Sequence, residues 1–158
     1  MGQEIESSDF SNHDFSVFSK NLKQETKDLL NLFKNNQFTN EDNVGGFEIE
    51  AWLVSSSGAP VPANQTFLEK LNNPLVVHEL AAFNIEINSI PVQLRHATLT
   101  NMETRLQETW DECRSVAKEL YMDLMMIGIL PSIQEQQLTT TNMSKLNRYQ
   151  ALNKQVLK

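Results

Sequence analysis

The stretch Val44 to Val54, VGGFEIEAWLV, decides how the chain folds. Phe47, Ile49, Ala51 and Leu53 alternate with Glu48, Glu50, Trp52 and Val54. A period of two is that of a strand with a different character on each face. A second run, FNIEINS from Phe83 to Ser89, places Phe83, Ile85 and Ile87 on one face and Asn84, Glu86 and Asn88 on the other. Pro91 has no N–H to give a ladder and is expected to end the pairing soon afterwards.

Working outward, the intervening SSSGAPVPAN has the Gly and Pro of a loop, and NQTFLEKLNN reads as a short helix opened by Asn64. Upstream, Phe15, Phe18, Leu22, Leu29, Leu30 and Phe33 recur at helical spacing, with Ser11 or Asp14 as cap. The run NNQFTNEDN ends that helix. Downstream from Thr98, a long helical stripe carries Leu99, Met102, Leu106, Trp110, Cys113, Val116, Ala117, Leu120 and Leu124. MMIGILP is then expected as a short buried strand closed by Pro131, and LTTTNMSKLNRYQALNKQVLK as a loop feeding a last helix. Alternating strands between one-sided helices predict an α+β fold, an antiparallel sheet with helices packed on one side. Residues 1–13 read as a flexible arm and residues 14–158 as a single domain.

Composition narrows the function. The 158 residues include 13 Lys plus Arg against 20 Asp plus Glu, a net charge of -7. A nucleic acid backbone or an anionic membrane surface needs a basic footprint, so neither is expected as main partner. Cys113 is the only cysteine, which rules out an internal disulfide and a Cys-based zinc site and suits a reducing, cytoplasmic setting. The opening MGQEIESSDF lacks a signal pattern, and Glu6 stands where myristoylation wants Ser or Thr. The apolar stretch from Tyr121 to Pro131 is interrupted by Asp123 and falls short of the roughly 20 residues that span a bilayer. No P-loop, G-x-S-x-G or G-x-G-x-x-G pattern is present, and Gly45-Gly46 more simply eases the chain into a strand.

The chemistry concentrates on the polar strand faces. Glu48 and Glu50, two apart, project from one side, and two like charges held together want a cation. Three carboxylates converge if Glu86 shares that side, a donor set suited to Mg²⁺ or Mn²⁺. Alternation alone is equally that of a solvated strand face. Asn88 could hold a ligand or a water, or simply make an edge hydrogen bond. Glu79 is a weaker candidate of the same kind. His13, His78 and His96 have no partner at metal-ligand spacing, and Cys113 falls on an apolar stripe as a buried thiol.

In wording and order, GFEIEAWLV, ELAAFNIEINSIP, MMIGILPSI and LTTTNMSKLNRYQALN resemble the N-terminal part of the glutamate-cysteine ligase family, across most of residues 44 to 153. The resemblance implies a partial glutamine-synthetase-like catalytic domain. It also implies ATP-dependent joining of a glutamate carboxylate to the amine of cysteine through an acyl phosphate, the first step of glutathione biosynthesis. In that family an E-x-E strand and a further Glu hold Mg²⁺, roles that fall on Glu48, Glu50 and Glu86. Arg148 and Tyr149 match its R-Y element at the substrate pocket, with Arg148 steering a carboxylate or phosphate oxygen. Chains of the family are usually several times longer. This chain is therefore expected to carry the metal-binding N-terminal portion, or else to be a non-catalytic binding or assembly module derived from the fold. A partial sheet would leave an open edge that favours self-association.

Overall fold

The computed structural model describes residues 3–38 and 43–156. In chain order the elements are α1 (Asn12–Lys34), β1 (Val44–Gly45), β2 (Glu48–Val54), α2 (Asn64–Leu71), β3 (Val76–His78), β4 (Asn84–Asn88), β5 (Val92–Gln93), α3 (Thr98–Glu119), β6 (Asp123–Met125) and α4 (Asn147–Val156). Short 3-10 turns at Glu135–Gln137 and Thr140–Asn142 precede α4. The chain divides into two compact units, residues 44–144 and residues 1–43 with 145–158.

The larger unit is built on an antiparallel four-stranded sheet in the order β3-β4-β2-β6. One face carries Ala51, Leu53, Val76, Ile85 and Ile87 and is closed by Phe67 and Leu71 of α2 and by Cys113 and Ala117 of α3. The expected architecture, an antiparallel sheet with helices on one side, is what forms. Leu53, Phe67, Ile85 and Cys113 are wholly buried there. Each such aliphatic or aromatic side chain contributes about 1.5–3 kcal/mol by leaving water. A smaller cluster of Trp52, Val54, Phe83 and Leu130 covers one end of the opposite face.

Several expectations need correction. The stretch 44–54 is two strands, because Ser89 interrupts the ladder. Its Oγ accepts the Phe47 N–H at 2.6 Å while its own N–H bonds Phe47 O at 2.9 Å. Beyond that break, β1 pairs with β5 as a separate ladder, so pairing resumes past Pro91. Phe83 does not share the face of Ile85 and Ile87. It precedes β4 and stacks on Trp52 with ring centroids 5.2 Å apart. Asn64 opens α2 as expected, as its first helical residue, and its buried side chain bonds Asn84 O. Leu124 lies on β6 opposite Leu53, because the helix ends at Glu119. Tyr121 turns left-handed (φ 58°), and the Tyr121 and Met122 N–H groups return to Lys118 O and Ala117 O, a Schellman closure. The MMIGILP stretch is mostly exposed: β6 is an edge strand of three residues, and Met126, Ile127 and Ile129 lie beyond it.

In the smaller unit, α1 opens on a reciprocal capping box between Ser11 and Asp14. Residues 3–11 are not helical, and Lys154 of α4 pairs there with Asp9 at 2.7 Å. Asn147, at the start of α4, bonds Glu4 Oε1 through its N–H and Ile5 O through its side chain. None of the apolar residues of α1 is buried, and Phe18 and Phe33 are each more than 60 % exposed. Among the described residues no helix is long and apolar enough to cross a membrane.

Candidate functional site

The face of the sheet opposite α2 and α3 carries three consecutive cross-strand pairs between β2 and β4: Glu48 with Asn88, Glu50 with Glu86, and Trp52 with Asn84. Directly opposed residues of an antiparallel pair point the same way, with Cβ atoms about 4.5–5.5 Å apart. Glu48, Glu50 and Glu86 therefore share one face, as the metal expectation required. Their surroundings differ. Glu48 and Glu50 are exposed, whereas Glu86 is only 7 % exposed. A buried carboxylate needs donors, and the Asn88 side-chain amide supplies one to Glu86 Oε1 at 2.9 Å. Asn88 thus supports a carboxylate. At the outer rung, Glu48 and Asn88 open onto a cleft also lined by Gly46, Phe47, Ser89 and Pro91.

Glu79 comes closer to this pair than its sequence position suggested. It follows β3, whose Val77 lies opposite Glu86. Burial pushes its carboxyl above the ordinary range. The Leu80 N–H at 2.8 Å opposes the rise, and hydrogen bonding to Glu86 with the charges of Glu50 and Glu86 adds to it. The 79–84 turn is itself tied down. Ser144, buried, donates to Glu79 O and accepts from Asn64 Nδ2 at 2.8 Å. The same Asn64 amide reaches Asn84 O at 3.0 Å, and Asn142 O receives the Ala82 N–H at 2.7 Å.

Asn84 is the residue that alternation did not single out. It is 8 % exposed, and its side-chain Oδ1 is buried with no hydrogen-bond partner. Alternation places it on the carboxylate face, but burial by the turn and the Trp52–Phe83 stack is not visible in the sequence. Among the described residues, no group of three or more His, Cys, Asp or Glu side chains is placed to hold a metal ion as the side chains stand.

Arg148 and Tyr149 belong to the other unit, on the first turn of α4. Arg148 Nη2 donates to the Tyr149 hydroxyl at 2.9 Å, and its guanidinium carbon lies 4.6 Å from the centre of the Tyr149 ring. The stacked, bonded phenol fixes the plane of the guanidinium fork. His78 Nε2 is bonded to Gln65 Oε1 at 2.8 Å, a structural role beside α2. Cys113 is buried in the core, and burial pushes its thiol up to about 12, with Glu112 adding to the shift. A thiol so held is inert.

The model of glutamate-cysteine ligase family 2 matches residues 44–158, well over half of the chain. The chain belongs to that family. Membership points to a carboxylate-amine ligase type of enzyme. Every residue of the face just described, and Arg148 and Tyr149, fall inside the matched stretch, whereas α1 precedes it. Comparisons with curated proteins and with solved structures return no match.

Proposed function

We propose that the chain carries the cation-binding portion of an ATP-dependent ligase that joins the γ-carboxylate of glutamate to the amine of cysteine through an acyl phosphate. The observation that carries this reading is the register of Glu50 against Glu86 with Glu48 one rung away, inside the stretch matched by the family model. The donors fit a hard divalent cation, since all are oxygens and the buried Oδ1 of Asn84 on the same face lacks a partner.

Glu48, Glu50 and Glu86 are the residues that would hold Mg²⁺ or Mn²⁺, which when bound supplies charge neutralisation for the triphosphate. Asn88 orients Glu86 by its hydrogen bond. The match to the family's R-Y element supports Arg148, oriented by its bond to Tyr149, as a residue that would meet a substrate carboxylate or phosphate. Glutamate, cysteine and ATP are the substrates under this reading.

Phosphate release from ATP tests it. In a complete ligase that contains this portion, release is expected only when glutamate and cysteine are both present, and Glu48→Ala should lower it by about 100-fold or more. Release that persists unchanged in Glu48→Ala would exclude the cation role.

A further inference from the structure

The polar face contains one atom that neither the family match nor the carboxylate pattern explains. Asn84 has its backbone fully engaged: its N–H bonds Ala81 O at 2.9 Å and its carbonyl accepts from Asn64 Nδ2 at 3.0 Å. Its side-chain Oδ1 is buried with no partner. Buried polar atoms are nearly always satisfied, so an orphan acceptor in a well-tied turn calls for a partner supplied from outside the protein.

The neighbours decide what that partner is. Asn84 stands two residues from Glu86 on the same face of β4, about 6.8 Å along the strand, and Glu86 lies opposite Glu50. Glu79 approaches the same pair. Among so many acceptors, an anionic ligand group is repelled. A centre that draws carboxylate and amide oxygens together is a hard cation, which accepts amide carbonyl oxygens alongside carboxylates. Next to Asn84, its cross-strand partner Trp52 stacks on Phe83, and both rings are buried.

We infer that the side-chain oxygen of Asn84 is a further, neutral ligand of the divalent cation held at the Glu50 and Glu86 pair. The inference rests on the cation reading given above and adds to it a residue that sets affinity. A neutral donor tightens the site without adding to the repulsion among its carboxylates.

Titration of the 158-residue chain with Mn²⁺ alone, followed by loss of the free-ion electron paramagnetic resonance signal, tests this without any turnover. Wild type should bind, and Glu50→Gln/Glu86→Gln should lose binding. Asn84→Leu, close in size and lacking the acceptor, should bind about tenfold more weakly, and Asn84→Asp more tightly than wild type. If the cation site behaves as expected but Asn84→Leu, folded by circular dichroism, binds within twofold of wild type, Asn84 is not a ligand. Should Asn84→Leu fail to fold, Asn84→Asp decides, and affinity no tighter than wild type overturns the inference. Absence of Mn²⁺ binding by wild type overturns the cation reading and this inference together.

Discussion

Glu50 and Glu86 stand directly opposite each other on β2 and β4, on the face of the sheet that α2 and α3 leave uncovered, one exposed and the other buried. Like charges set across a ladder are destabilising, and Glu79 brings a third carboxyl to the same place. A ligase that neutralises the triphosphate of ATP through a bound cation would have a use for such an arrangement.

Glu79→Gln should stabilise the chain at neutral pH. Burial first, and then Glu86 and Glu50, raise the Glu79 carboxyl above its ordinary 4.5. For an acid with a raised folded value, the favourable contribution is present below the unfolded value and is lost as pH rises through the folded one. Glutamine keeps an acceptor for the Leu80 N–H and removes the charge. In metal-free buffer the variant should melt about 1–3 °C higher at pH 7, with the difference gone at pH 4. A lower melting temperature at pH 7 would contradict the assignment.

Asn64→Ala should be costly. Its amide donates to Ala81 O, Asn84 O and Ser144 Oγ, and Asn64 and Ser144 are both buried. Leaving such acceptors unpaired costs about 1–3 kcal/mol each before relaxation, so a loss of about 2–4 kcal/mol in urea unfolding is expected. A loss below about 1 kcal/mol would mean that the turn is not held this way.

Tyr121→Gly should stabilise. Tyr121 closes α3 at φ 58° with its side chain almost fully exposed. A left-handed conformation costs a non-glycine residue about 1–2 kcal/mol, and little packing is given up. Chemical denaturation should show a gain of about 1 kcal/mol, and a net loss would show that the exposed ring has contacts that matter.

Cys113 should resist thiol reagents in the folded chain. With its thiol near 12, on the order of one molecule in 10⁴ is thiolate at pH 8, and the sulfur is wholly buried. Labelling should therefore follow global unfolding and speed up in denaturant. Fast stoichiometric labelling at pH 8 in native buffer would contradict the packing of α3.

Much of the fold was legible because its strands are half-covered. Ile49, Ala51 and Leu53 against Glu48, Glu50 and Trp52 fixed both the strand and its faces, and the same alternation put Glu86 and Asn88 on the polar face of β4, while only the β2–β4 register brings the two polar faces together. Four kinds of feature were not legible. Short edge pairings such as Val76–His78 and Val92–Gln93 carry too few residues to show a period. Interruptions depended on distant partners, as when Ser89 takes the Phe47 N–H and divides one expected strand into two. Burial of polar groups depended on the folded turn, which is why Asn84 read like any other residue of the polar face and Asn64 only as the start of a helix. The Schellman closure at Tyr121 lacked its usual glycine signal, so the apolar stripe of α3 ran on, in the sequence, into β6.

Isothermal titration of the purified chain with Mg²⁺ and a non-hydrolysable ATP analogue, alongside Glu48→Ala/Glu50→Ala, tests the central claim most directly. Nucleotide binding that requires Mg²⁺ and disappears in the folded double variant is the predicted result. Binding that is indifferent to Mg²⁺, or unchanged in the double variant, would contradict the claim that these carboxylates hold the cation.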